Sequence, residues 1–391
     1  MSLLIENARV VLTDRVTEPQ NVLLKGGRIA ALDYQGGAAQ SLDAKGGYLL
    51  AGFIDLHVHG GGGADFMDAT PEAFEQAVAA HLKHGTTLLY PTAMTAAEED
   101  LNAFIDAYLA FKEKSPYAPL AGGLHLEGPY FAGSGAQSRG AQKAGSMRDP
   151  NEAETARLLK RAKGAILRWD AAPELAGIEV FAKQMKAAGV IAAVAHTDAT
   201  AEEAEQAYQW GFSHVTHFYN AVSSHRKRGQ TVYGGVVEAT YLNDDVTVEL
   251  IGDGCHIPKP ELMLAIKIKG ANGVSVITDA TRIAGTDLKE GKLGSLQNGS
   301  DVIVEDGVAK LPDRSSFAGS IATMDRCLRT LCSLYGLPMP LASKLLSLSP
   351  AKRMGIADRK GSIEVGKDAD LVIVDEKLQI QNVIVGGEVQ V

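Results

Sequence analysis

Two histidines one residue apart, His57 and His59, close the apolar run Phe53-Ile54-Asp55-Leu56-His57-Val58-His59, and Gly60-Gly61-Gly62-Gly63 follows at once. Side chains alternate along a strand, so both imidazoles leave the same face, where such a pair can grip one metal ion. The glycines let the backbone turn away behind them. More residues of ligand type close later apolar runs: Glu127 ends Leu124-His125-Leu126-Glu127, and His196, His217 and Asp279 end runs of their own. A carboxylate carried into an apolar strand needs a cation or several hydrogen-bond donors, so at Glu127 either a metal or a basic side chain would serve. One histidine at a strand end is ordinarily a hydrogen-bonded core residue. His57, His59, Glu127, His196 and His217 together point instead to zinc or another first-row divalent ion. Asp279 then has a use beyond capping a turn. Hydrolysis by water whose pKa a metal lowers from about 15.7 towards 7 requires a group that takes a proton and returns it.

The elements that must position these residues follow a regular rhythm. Strand-like runs at 53–57, 86–90, 122–127, 165–169, 190–196, 213–217, 246–251 and 273–279 alternate with amphipathic helical segments such as 178–188, 201–210 and 260–269. One helix should open at Thr70-Pro71, since Thr is a good N-cap and Pro suits the first turn, and Gly85 should end it. Eight strand–helix units in about 250 residues predict an α/β chain folded as a closed parallel (β/α)8 TIM-like barrel, with chemistry at the C-terminal strand ends. The candidate ligands all fall there. A doubly wound open sheet would need a Gly-rich turn leading promptly into a helix, and Gly60–Gly63 does not supply one.

Outside the barrel, short β segments punctuated by glycine pairs occupy the first 50 residues and the last 30. They predict a small β-sandwich domain built from both termini, residues 1–52 with 359–391, flanking a catalytic barrel over 53–358. With 391 residues, 46% hydrophobic and 22% charged, the composition is that of a globular chain. No apolar stretch approaches the roughly 18 residues of a membrane helix, and the start lacks the basic, uninterrupted apolar pattern of a signal peptide. The expected location is the cytoplasm, with no membrane partner. A net charge of -9 argues against nucleic acid as a partner. Cys255, Cys327 and Cys332 stand in no paired metal spacing and read as buried thiols.

The His-Val-His motif, the strand-end histidines, the late Asp279 and the glycine-rich stretch 361–371 resemble the amidohydrolase superfamily. Within it, Leu126-Glu127-Gly128-Pro129, Thr216-His217-Phe218-Tyr219-Asn220-Ala221, Asp253-Gly254-Cys255-His256, Thr278-Asp279-Ala280 and Phe317-Ala318-Gly319-Ser320 resemble, in order, the family of N-acetylglucosamine-6-phosphate deacetylases. The resemblance implies a hydrolase of a linear amide on a phosphosugar. Glu127, His196 and His217 would hold the principal metal, zinc or iron, and Asp279 would be the general acid and base. Retention of His57 and His59 implies room for a second ion, so one or two per subunit, with Glu127 shared.

It further implies that His256 contacts the substrate, that Asn220 and the Ala221 backbone meet the phosphate, and that Ala318, Gly319 and Ser320 line the sugar pocket. Arg228 would reach a phosphate in the neighbouring subunit of a homodimer, a role suited to its paired donors. Where the family commonly has a histidine after Gly-Ala or Gly-Thr, this chain has Gly140-Ala141-Gln142, so Gln142 would recognise substrate without charge. That departure keeps open a deacetylase of N-acetylgalactosamine 6-phosphate or a cyclic amidohydrolase. A catalytically silent sugar-phosphate binder would hold no metal.

Overall fold

The structure, a computed structural model, describes residues 2–132 and 135–391, leaving aside the side chains of Ala136, Gln137 and Arg228. Among the described residues, eight parallel strands form one continuous sheet. In chain order they are Phe53–Val58, Thr86–Ala93, Leu124–Glu127, Ile166–Ala171, Ile191–Val194, His214–Val215, Thr247–Ile251 and Val274–Ile277. Each pairs with its sequence neighbour, and the eighth returns to the first. His57 O accepts from Asp279 N at 2.9 Å and Ala280 O from His59 N at 2.8 Å, so the ring is closed by the residues that carry two of the candidate ligands. This is the (β/α)8 barrel that the rhythm of the sequence predicts.

The helices form for the reasons visible in the sequence. Pro71–Leu82 opens with Thr70 accepting from Ala73 N and with Pro71 in the first turn. Ala201–Trp210 opens with a reciprocal capping box between Thr200 and Glu203. Their inner faces, with Phe74, Val78, Leu101, Phe104, Phe181 and Met185, pack on the outside of the barrel in one large core. Inside the barrel the chemistry differs. Asp55 and His57, His125 and Glu127, and Arg168 and Asp170 occupy alternate positions of three strands, His214 and Thr216 lie on and just past a fourth, and Glu249 of a fifth joins them, all of them buried. Alternation has placed a polar layer along the barrel axis.

The terminal strands make the small β-sandwich. Ser2–Val11 pairs on one edge with Val16–Lys25 and, on the other, with Gln40–Asp43 along its first half and Tyr48–Ala51 along its second. Leu371–Val374 then adds to Tyr48–Ala51 and is followed outward by Ile380–Val385 and Glu388–Val389. Ile5, Val10, Val22, Leu49, Leu371 and Ile384 form a core separate from the barrel's. Between the eighth barrel strand and the closing helices, an antiparallel meander, Glu290–Leu293, Ser300–Glu305 and Val308–Lys310, leans over the barrel mouth. No helix among the described residues is long and apolar enough to cross a membrane.

Candidate active site

The sequence-predicted ligands converge at the C-terminal mouth of the barrel. Among the described residues, two buried groups of three could each hold a metal ion: Glu127 with His196 and His217, and His57 with His59 and Asp279. Glu127 Oε1 is 2.9 Å from His196 Nε2 and 3.0 Å from His217 Nε2, and the two imidazole nitrogens are 3.2 Å apart. Asp279 Oδ1 is 3.2 Å from His59 Nε2 and 3.4 Å from His57 Nε2. Glu127 spans the groups, since its Oε2 is 3.3 Å from His59 Nε2. His196, His217 and Asp279 hold left-handed backbones at φ of 47°, 30° and 50°. Such conformations are costly away from glycine and persist where the surroundings enforce them, as at functional sites.

The donor set fits a metal, and the fit is set one bond further out. Nδ1 of His196 faces Ser138 O at 2.8 Å, Nδ1 of His217 faces Asn220 O at 2.9 Å and Nδ1 of His59 faces Thr92 O at 3.3 Å. A carbonyl only accepts, so each Nδ1 carries a proton and Nε2 is the nitrogen that would be left to a metal. His57 Nδ1 lies 2.8 Å from Glu249 Oε1, with the same consequence. Glu249 is in turn held by Arg168 at 2.5 and 2.7 Å, and Arg168 Nε reaches Asp170 Oδ1 at 3.2 Å.

The charges of the site also call for a cation. Burial pushes Glu127 up, but hydrogen bonds from His196, His217 and His59 outweigh it and hold the carboxyl well below the usual range. Asp279 is lowered in the same way, burial being overcome by His57 and His59. Burial opposes charge on His217, yet its hydrogen bond to Glu127 raises it to about 9, and Asp279 and Glu127 raise His59 well above its ordinary value. A divalent ion supplies the positive charge these carboxylates otherwise draw as protons onto the imidazoles.

The cavity above the ligands is bordered by His59, Glu127, His196, His217 and Asp279 and also by Asn220, Ala221, His256, Gln142 and Gly319. His256 lies with its ring 4.8 Å from Phe317, and its Nδ1 is engaged by Asp253 Oδ2 at 2.8 Å. Among the described residues Asn220 Nδ2 is buried without a partner. Gly319, at φ 63°, passes so close to Asp279 that a Cβ there would stand 2.9 Å from the Asp279 carbonyl oxygen.

The remaining expected residues sit at different depths from the cavity. Gln142 borders the cavity with both ends engaged: Thr95 N donates to its Oε1 at 3.1 Å, which turns its Nε2 onto Glu127 Oε2 at 2.6 Å. Ala318 and Ser320, expected to line the sugar pocket, are fully buried and do not border the cavity, which Gly319 between them does. Ser320 instead donates through Oγ to Thr278 O at 2.5 Å and through N to Asp279 O at 2.8 Å, holding the Asp279 turn. Arg228 ends the hairpin strand Arg226–Arg228, and its side chain lies outside the described residues. Reasoning from sequence missed Arg168, Asp170 and Glu249. The available signal was charge inside otherwise apolar strands, as in Thr247-Val248-Glu249-Leu250-Ile251.

The model of the amidohydrolase family matches residues 48–390. The chain is 33% identical over 394 residues to an N-acetylglucosamine-6-phosphate deacetylase of Lysinibacillus sphaericus, covering 100% of this chain and 98% of that protein. It is also 33% identical to the Bacillus subtilis enzyme of the same name, over 87% of this chain and 84% of that one. Among solved structures, a variant of the Mycobacterium smegmatis deacetylase in complex with N-acetyl-D-glucosamine-6-phosphate superposes with a TM-score of 0.89 at 30% identity, over 99% of each chain. The Pasteurella multocida deacetylase gives 0.90 at 27% identity over 100% of each. From the ring of strands, the ligands at its mouth and these relatives, the chain belongs to the amidohydrolase family.

Proposed function

We propose that the protein hydrolyses the acetamide of N-acetylglucosamine 6-phosphate to glucosamine 6-phosphate and acetate. The observation that carries this reading is the pair of buried groups at the barrel mouth, each of two histidines and a carboxylate, beside a cavity that holds an unspent amide donor. The relatives named for that reaction supply the substrate. Glu127, His196 and His217 would hold the principal ion, and His57 and His59, with Asp279 and Glu127 Oε2, a second. Zinc or iron suits imidazole and carboxylate donors. When bound, such an ion polarises the amide carbonyl and acidifies water.

The chain's own residues do the rest. Asp279, kept anionic in spite of burial, accepts the proton of the attacking water and passes it to the amine nitrogen as the C–N bond breaks. Asn220 Nδ2 and the Ala221 backbone receive the phosphate, His256 Nε2 the sugar hydroxyls, and Gly319 lets the chain pass close to the reacting group. Phosphate held at a distance orients the amide, so its loss should lower turnover as well as binding. Residues 53–358 carry this chemistry, and 1–52 with 359–391 form the flanking domain. The projecting hairpin 226–233 suits a homodimer in which Arg228 serves the neighbouring site, and the phosphosugar substrate suits a cytoplasmic enzyme.

The test is acetate release from N-acetylglucosamine 6-phosphate by metal-stripped protein, before and after adding zinc or ferrous ion, beside the galactosamine epimer and the unphosphorylated sugar. Metal-restored activity that prefers the phosphorylated glucosamine compound is expected. Equal activity with and without metal overturns the reading.

A further inference from the structure

A second, smaller chamber adjoins the catalytic cavity, and Met94, Ala141 and Leu293 border both. Its lining combines the apolar side chains of Met67, Met94, Ala96 and Leu293 with the polar ones of Asp100 and Lys143. Nothing in the chemistry above uses it. Its place around the barrel is informative. Met94 follows the second strand, whereas Asn220 and Ala221 follow the sixth, and in a closed ring of eight these lie on opposite sides of the mouth.

In a 2-acylamino-6-phosphosugar, carbon 2 lies across the pyranose ring from carbon 5, which bears the phosphorylated arm. A substrate with its phosphate at Asn220 would therefore turn its acyl group towards the second strand, the side of the cavity that Met94 borders. Methionine is unbranched and yields readily to a neighbour. We infer that the enzyme is an N-deacylase of broader reach than acetyl, taking straight-chain acyl groups such as propionyl and butyryl into this second chamber. The reaction is unchanged: the C–N bond breaks, the water oxygen ends in the released carboxylate, and a water proton ends on the amine. This inference rests on the proposed phosphosugar reading.

The experiment compares kcat/KM for N-acetyl-, N-propionyl- and N-butyrylglucosamine 6-phosphate on the metal-loaded enzyme and on two variants, Ser146→Phe and Ser300→Phe. Both serines border the second chamber and not the first. Wild-type values for the longer acyl groups are expected within about tenfold of acetyl, because each added methylene finds apolar cover instead of a wall. Each Phe variant should cut butyryl turnover at least about tenfold relative to acetyl. A wild-type penalty greater than about tenfold for butyryl, or Phe variants that change all three substrates alike, overturns the inference. Failure to hydrolyse the acetyl compound would count against the phosphosugar reading itself, so the two failures are distinguishable.

Discussion

At the scale of single residues, the site turns on where protons can rest. Asp279 is a buried carboxylate kept ionised by the two imidazoles it faces. An Asp279→Asn variant should lose on the order of 10² to 10⁴ in kcat. It should keep the ion at Glu127, His196 and His217, as elemental analysis would show. Gln142 supports Glu127 in this geometry, because Thr95 fixes which end of its amide meets that carboxylate. Gln142→Leu strands the Thr95 amide and loosens Glu127, so metal affinity should fall roughly 10- to 100-fold. A competition titration with a chromogenic chelator measures it. The five candidate ligands and Asp279 stood out in the sequence because each closes an apolar run, and the fold brings all six to one mouth of the barrel. Gln142's partner did not, since Thr95 lies 47 positions away and only the fold brings them together.

At the scale of elements, the barrel strands carry two patterns at once. Outward positions are apolar under the helices, and inward positions hold an ionic chain from His57 through Glu249 and Arg168 to Asp170 and Thr216. Read alone, Ile166-Leu167-Arg168-Trp169-Asp170-Ala171 looks like a strand with one wet face. Closure of the ring makes that face the interior, which no single strand reveals. Glu249→Ala should destabilise the protein by about 3–5 kcal/mol by leaving Arg168 buried without its main partner. A Glu249→Leu, Arg168→Met double variant should cost less than the sum of Glu249→Leu and Arg168→Met made singly, and urea denaturation of these three beside wild type closes the cycle. Equal, additive losses would mean that the pair is not a unit.

At the scale of the whole molecule, buried histidines outside the site tie stability to pH. His81, on the helix Pro71–Leu82, is buried and bonded to Gly60 O at 2.8 Å, and burial lowers it to about 4. The unfolded chain binds that proton near pH 6.5 and the folded one does not until about pH 4. Stability from this group is therefore whole above pH 6.5 and is lost as pH falls towards 4. His81→Gln should flatten that part of the profile, seen as a smaller drop in denaturation midpoint between about pH 7 and 5 than in wild type. The barrel and the split terminal domain were foreseeable from the count of units and the glycine-punctuated ends, whereas the polar interior and the adjoining chamber depend on closure in three dimensions. The pairing of Tyr48–Ala51 with Leu371–Val374 also imposes a wait. At typical synthesis speeds of about 5–20 residues per second, the early strands stand on the ribosome for roughly 15 to 60 s before their match emerges. During that interval an unfinished edge is open to stray pairing. A nascent chain halted anywhere inside the barrel is thus the species a chaperone would meet.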